Sequence, residues 1–232
     1  MNTSNSAFES AICEMKTPFD LSTHSSIGCG GSARVAFYPK TQTQMQTLKN
    51  MKKSGAEFLA GVPCTLGGAL YMNAGAAGVY ISEIVESVTV LRGEDIVTLP
   101  VTECGYAYKT SVFMQNNDVI LGAKLRLADS DTEKVEKEIN RFLERRAHLP
   151  KGKSMGCVFK NPDGIAAGKL IENAGLKGLR VGGAKVSEEH ANFIINDHRA
   201  TSGQIRMLIG IVKNAVFAQY RIRLKEEIRY LI

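Results

Sequence analysis

The sequence contains no apolar run approaching the roughly 18 residues that a membrane-spanning helix requires. Its opening, MNTSNSAFESAICEMK, has neither the basic stretch nor the apolar core of a secretory leader. A cytoplasmic protein without a membrane partner is therefore expected. Cysteine is sparse and scattered: Cys13, Cys29, Cys64, Cys104 and Cys157 are odd in number, with no C-x-x-C pair to bracket a zinc ion and no dense disulfide framework. They read as free thiols in a reducing compartment, most of them structural, and no metal site is expected. Internal repeats, low-complexity tracts and long linkers are also missing.

What is there is an ordinary globular composition, 44% hydrophobic and 22% charged over 232 residues, enough for one large domain or two small ones. Twenty-nine Lys and Arg against 23 Asp and Glu leave a net charge of +6. That balance favours acidic ligands, whether phosphorylated metabolites, nucleic acid or an anionic surface, without choosing among them.

Along the chain, SSIGCGGSARVAFYP places a glycine cluster before alternating Val35 and Phe37, a turn entering a strand. TQTQMQTLKNMKKSG reads as a short polar helix ended by Gly55. In AEFLAGVPCTLGGALYMNAGAAG, glycine and alanine crowd together, a composition suited to backbone packed closely on a ligand or another segment, with a tight structural turn as the alternative. From Ile84 to Leu127 the pattern is that of antiparallel strands broken at Arg92-Gly93 and Asn116-Asn117-Asp118. DTEKVEKEINRFLERRAHLP carries Val135, Ile139, Phe142 and Leu143 at helical spacing, Glu133 and Lys137 as an i,i+4 pair, and a basic end of Arg141, Arg145, Arg146, Lys151 and Lys153. AAGKLIENAG is a short helix closed by Gly175, EHANFIIND a buried strand, and TSGQIRMLIGIVKNAVFAQY an amphipathic helix with Ile205, Leu208, Ile209, Val212 and Val216 on one stripe. The predicted class is α+β.

The stretch SMGCVFKNP, Ser154 to Pro162, reads as a strand with Cys157, Phe159 and Asn161 on one face and Val158 and Lys160 on the other. On these residues alone Cys157 is either a reactive group or a small apolar residue filling a core, and free cysteine is among the most buried residue types.

Taken together and in order, SIGCGGSAR, FLAGVPCTLGGALYMNAGAAG, GYAYKTSVF, GCVFKNP, AGKLIENAGLKGLRVGGAKVSEEHANFIIN and RLKEEIRYL resemble the flavin-dependent UDP-N-acetylenolpyruvoylglucosamine reductases, the MurB family. The resemblance spans nearly the whole chain from Ser25 to Leu231. It implies a shortened PCMH-type FAD-binding domain over 1–130, followed by a MurB-type α+β substrate-binding domain over 131–232. It implies NADPH as the reductant of FAD, hydride delivery to the enolpyruvyl ether of a UDP-sugar, and UDP-N-acetylmuramate for peptidoglycan as the product. By motif position Cys157 takes the place of the proton donor, usually a serine. A thiol with an ordinary pKa near about 8.5 is mostly protonated at neutral pH and donates more readily than a hydroxyl.

The same resemblance gives Glu227 the place of the carboxylate that assists proton transfer, with Glu226 beside it. Lys109 stands where an arginine usually holds the substrate carboxylate and enolate, keeping the charge without the bidentate fork. Pro63, Thr65, Gly67, Gly68, Asn73, Ala74 and Gly75 match the flavin-facing loop, with Cys64 in the place of a usual glycine. Tyr108, Arg146, Lys160, Asn161 and Asn192 match substrate-binding positions. His190, heading HANF, reads as structural.

One departure stands out. The family carries further strands and a glycine-rich phosphate loop where LKNMKKSGAEFLAGVP here joins its flanks directly. Two readings follow: a FAD-dependent reductase with a shortened flavin domain, or an inactive relative that binds UDP-sugar without flavin. A nucleic-acid partner has only the net charge in its favour, and no recognised RNA or DNA motif.

Overall fold

The computed structural model describes residues 52–116 and 118–230, together with the backbone of four short N-terminal strands, β1 (Glu14–Lys16), β2 (Phe19–Asp20), β3 (Ser32–Ala33) and β4 (Ala36–Tyr38). β1 pairs with β4 and β2 with β3, both antiparallel. The expected glycine-cluster turn before β3 and the body of the polar helix in TQTQMQTLKNMKKSG lie outside the described residues. The chain divides into two compact units, Thr41–Ala147, and His148–Ile232 with Met1–Lys40. Helices and antiparallel sheets are mixed in both, the α+β class read from the sequence. No helix among the described residues is long and apolar enough to cross a membrane.

In the Thr41–Ala147 unit the strand pattern from Ile84 onward becomes an antiparallel sheet of β8 (Val85–Arg92), β9 (Asp95–Pro100) and β10 (Val119–Leu125), in the order β10-β8-β9. Val85, Val88 and Val90 are buried from one face of β8. Their uneven spacing accompanies register slips on β10 between Ile120 and Gly122 and between Lys124 and Leu125. Two short pairs belong to the same unit. β5 (Lys53–Ser54) pairs with β11 (Ala128–Asp129), and β6 (Gly75–Ala76) pairs with β7 (Val79–Tyr80). Phe58, Leu70, Ile81, Phe113 and Phe142 complete the core.

The glycine- and alanine-rich stretch is not one continuous loop. Leu66–Met72 forms a short helix, α1, whose Thr65 hydroxyl accepts from the Gly68 N–H at 3.1 Å and whose end is turned by Asn73 in the left-handed conformation, φ 46°. Ala69 and Leu70 are buried from it, which gives this weakly helical sequence its anchor. Gly75 is required by packing: a Cβ there would stand 2.5 Å from the Tyr80 ring.

Helix α2, Thr132–Arg146, begins at Asp131, whose side chain accepts from the Lys134 N–H at 2.8 Å. Val135 and Phe142 are buried as the spacing predicts, whereas Leu143 is 43% exposed. Leu143 lies over Gly61 instead, where an added Cβ would meet it at 3.1 Å. Asp131–Lys134 and Glu138–Arg141 form ion pairs along this helix, and the expected Glu133–Lys137 pair is not among those of the described residues.

In the other unit, β12 (Ser154–Cys157), β13 (Arg180–Val181), β14 (Ala184–Val186) and β15 (Phe193–Asn196) form an antiparallel sheet in the order β12-β15-β14-β13. Helices α3 (Ala167–Asn173) and α4 (Ser202–Tyr220) pack with it. Thr201 and Gln204 close a reciprocal capping box at the start of α4. All five expected stripe residues, Ile205, Leu208, Ile209, Val212 and Val216, are buried. Each such side chain stabilises the unit by about 1.5–3 kcal/mol.

Candidate active site

In the unit formed around β12–β15, the Cys157 stretch is irregular. Ser154 pairs with Ile195 and Cys157 with Phe193, so three steps on β12 face two on β15, and Gly156 takes φ 76° at this bulge. The strand ends at Cys157. The simple two-residue alternation expected across Ser154–Pro162 therefore fails: Val158 and Phe159 are both buried, while Cys157 is only half-buried.

Beyond the strand, residues 158–160 are held from two sides. The Val158 N–H donates to the Asn192 carbonyl at 2.8 Å. The Asn192 side chain accepts from the Phe159 N–H at 2.9 Å and donates to the Phe159 carbonyl at 2.8 Å. On the other side, the Glu227 N–H donates to the Val158 carbonyl at 2.8 Å and the Lys160 N–H to the Lys225 carbonyl at 2.9 Å. Asn161 sends its side-chain oxygen to the Ala167 N–H at 3.0 Å, at the start of α3. The fold thus brings Cys157, Lys160, Asn161, Asn192 and Glu227 into one neighbourhood.

Glu226 has separate partners. Its carboxylate accepts from Lys213 Nζ at 2.7 Å and from the Tyr230 hydroxyl at 2.6 Å. Burial alone would raise its pKa, but these hydrogen bonds and the nearby cations outweigh burial and hold the carboxyl below its ordinary 4.5. His190 is structural in its contacts: Nδ1 accepts from the Asn192 N–H at 3.2 Å, and the ring meets Phe193 edge-on at 4.9 Å.

The Thr41–Ala147 unit holds a second cluster. Tyr108 and Lys109 form the tip of a tight turn closed by reciprocal Ala107 and Thr110 hydrogen bonds of 3.1 Å, with Lys109 at φ 53° and Tyr108 44% exposed. Asn73, 3% exposed, ties this turn to the end of α1: its Nδ2 donates to the Ala107 carbonyl at 2.9 Å and its Oδ1 accepts from the Ser82 N–H at 3.2 Å. Ser111, fully buried, adds a bond of 2.6 Å to the Tyr71 carbonyl. Sequence reasoning missed Ser111, since a serine in a β-rich stretch carries no signal of its own. Arg146 belongs to this unit with Tyr108, whereas Lys160, Asn161 and Asn192 belong to the other, and its Nε donates to the Gly61 carbonyl at 3.1 Å.

The two ends of a flavin dinucleotide meet different conditions among the described residues. At the exposed start of α1, a Cβ on Gly68 would meet only Thr65 Oγ1 at 3.4 Å, and one on Gly67 only the same atom at 4.0 Å. Bare backbone of this kind, flanked by exposed Pro63 and Thr65, fits a planar ring lying against it. A diphosphate requires several aligned N–H donors or cations. Between β5 and α1 the chain has a single 3-10 turn, Glu57–Leu59. It carries a buried carboxylate, Glu57, with Oε2 on the Gly55 N–H at 2.7 Å and Oε1 without a partner. This stretch fits the ring of a flavin and not its diphosphate.

Residues 147–231 match the family model for the UDP-N-acetylenolpyruvoylglucosamine reductase C-terminal domain. The chain is 42% identical over 190 residues to UDP-N-acetylenolpyruvoylglucosamine reductase of Chlamydia abortus, covering 80% of this chain and 63% of that protein. It is 38% identical over 189 residues to the enzyme of that name in Clostridioides difficile, covering 80% and 62%. It thus spans slightly under two thirds of the length of these relatives. The crystal structure of UDP-N-acetylenolpyruvylglucosamine reductase (MurB) from Thermus caldophilus superposes with a TM-score of 0.80 at 26% identity, covering 93% of this chain and 97% of that one.

Proposed function

Because this chain belongs to the UDP-N-acetylenolpyruvoylglucosamine reductase family, we propose that it reduces UDP-N-acetylglucosamine enolpyruvate to UDP-N-acetylmuramate for peptidoglycan synthesis in the cytoplasm, using FAD with NADPH as co-substrate. The observation that carries this reading is the pairing of residues 158–160 with residues 225–227, which sets Cys157 and Glu227 on adjoining segments.

A bound flavin would supply two-electron hydride chemistry, with NADPH as the source of reducing equivalents and the methylene carbon of the enolpyruvyl ether as the acceptor. Pro63, Thr65, Gly67, Gly68, Asn73, Ala74 and Gly75 form its ring-binding segment, with Asn73 and Gly75 acting through the geometry of that segment. Lys109 supplies positive charge to the substrate carboxylate and the developing enolate, and Tyr108 shapes the same end of the substrate. Cys157 gives its Sγ proton to the carbon next to the carboxylate, leaving a thiolate that is reprotonated from solvent. Glu227 assists that proton transfer. Lys160 and Asn161 engage the UDP-sugar, and Arg146 holds the loop that begins at Gly61.

A second reading, UDP-sugar binding without flavin, is favoured by the direct passage from β5 through Gly55 to the Glu57–Leu59 turn. The visible spectrum of the purified protein after addition of FAD separates the two. A stoichiometric yellow complex bleached by NADPH and reoxidised by the enolpyruvyl substrate supports the reductase, and a colourless protein that still binds the UDP-sugar overturns it.

A further inference from the structure

Asn192 is 3% exposed, and each kind of polar group it carries has a partner within the protein. Its main-chain N–H donates to His190 Nδ1 at 3.2 Å and its main-chain carbonyl accepts from the Val158 N–H at 2.8 Å. Its side-chain amide completes two bonds to the main chain of Phe159, at 2.9 and 2.8 Å. The amide therefore reproduces what a neighbouring strand would offer, at the point where the Gly156 bulge has ended regular pairing between β12 and β15. A group that pulled this side chain away would break two buried hydrogen bonds and leave the main-chain N–H and carbonyl of Phe159 unpaired.

The geometry points to Asn192 as a positioning residue: its amide clamps Phe159 and so sets where the Cys157 thiol and the Glu227-bearing segment lie. The resemblance implies a substrate contact at this position, and the clamp is a role beside it that the hydrogen bonds to Phe159 carry. The catalytic meaning of the clamp rests on the reductase reading, but its effect on the thiol does not. His190 is the next support, since its Nδ1 fixes the main chain of Asn192.

The test follows Cys157 alkylation by iodoacetamide in the full-length protein, by mass spectrometry of its peptide across pH about 6 to about 9. Asn192→Asp keeps the acceptor to the Phe159 N–H and removes the donor to its carbonyl. It should change the limiting rate of Cys157 alkylation, or shift its pH midpoint, by an amount worth about tenfold at neutral pH, while Cys64 in the other unit reacts unchanged. In turnover, kcat should fall by about tenfold or more with KM within about twofold.

If Asn192→Asp fails to fold, as judged by its thermal melt, the His190 pair decides. His190→Ala should alter Cys157 reactivity, and His190→Asn, which offers an oxygen near the place of Nδ1, should restore it. A Cys157 profile superimposable on that of the parent in folded Asn192→Asp, or no change in His190→Ala, overturns the clamp. If the parent fails to reduce the enolpyruvyl substrate while the alkylation shifts appear, the reductase reading fails and the clamp stands.

Discussion

The Glu227 N–H donates to the Val158 carbonyl at 2.8 Å, which fixes the C-terminal segment to the residue that follows Cys157. Glu226 turns instead to Lys213 and Tyr230, at 2.7 and 2.6 Å, and so fastens the same segment to α4. The two adjacent carboxylates should therefore fail differently when neutralised. Glu226→Gln is expected to lower stability by about 1 kcal/mol and leave turnover within about twofold, because a partly exposed ion pair contributes modestly. Glu227→Gln should lower kcat by about a hundredfold in protein that remains folded at the assay temperature. Melting curves and steady-state turnover of both variants check this, and the reverse pattern would transfer the catalytic role to Glu226.

Acid should act through Glu226 as well. Its carboxyl is held below 4.5 in the fold, so the stability it contributes is fully present above that value and lost as pH falls through the lower folded one. Glu226→Gln should abolish this part of the acid limb, and stability measured by denaturant titration from neutral pH down to about pH 3 would reveal it as a flatter profile.

Cys157 separates the two halves of the proposed reaction. Cys157→Ala should leave reduction of bound flavin by NADPH within about twofold of the parent and slow reoxidation by the enolpyruvyl substrate by about a thousandfold. Cys157→Ser should keep part of the second step, since the hydroxyl is a donor of the same reach but a weaker acid. Stopped-flow absorbance of each half-reaction separates these outcomes. Equal reoxidation rates in Cys157→Ala and the parent would remove the thiol from the proton-transfer role.

The sequence was most legible where one physical pattern dominates. The five-residue stripe of α4 is buried as its spacing demands, and Phe193 and Ile194 of EHANFIIND are buried in β15. The pattern failed where a backbone irregularity intervenes. Period two across Ser154–Pro162 assumes a regular strand, and a bulge at a positive-φ glycine, Gly156, breaks that assumption. In the same way the crowded glycines and alanines read as closely packed backbone or a tight turn, while burial of Ala69 and Leu70 with a Thr65 cap makes Leu66–Met72 helical. Of the candidate site, residue types could be placed from motifs. The partners of Asn192, Asn73 and Arg146 are main-chain groups distant in sequence, and no residue pattern announces those.

Arg146 illustrates the last point. Its bond from Nε to the Gly61 carbonyl orients the loop leading to the exposed start of α1. Arg146→Ala should weaken flavin binding by about tenfold through loss of loop order, and Arg146→Lys should recover little, because an ammonium cannot reproduce the planar Nε donor. The described residues fit the flavin ring and not its diphosphate. FMN should therefore bind within about threefold of FAD, where a diphosphate cradle would favour FAD by orders of magnitude. Fluorescence titration with both flavins checks the two expectations together.

His190 should make the unit that carries Cys157 sensitive to mild acid. Burial, followed by the nearby positive charges of His148 and Lys177, pushes its pKa below the ordinary 6.5, against the opposing pull of Glu172 and of a main-chain hydrogen bond. The fold thus holds the neutral ring, with Nδ1 as acceptor for the Asn192 N–H. As pH falls, the unfolded chain takes up the proton first. The stability contributed by His190 is therefore complete above pH 6.5 and is lost as pH drops through the lower folded value, below which the effect is constant. His190→Asn preserves an acceptor but cannot titrate, so its stability should be flatter than that of the parent as pH falls below 6.5. Denaturant midpoints measured at half-unit pH steps give the comparison. Parallel profiles in the two proteins would show that another group carries the acid sensitivity of this unit.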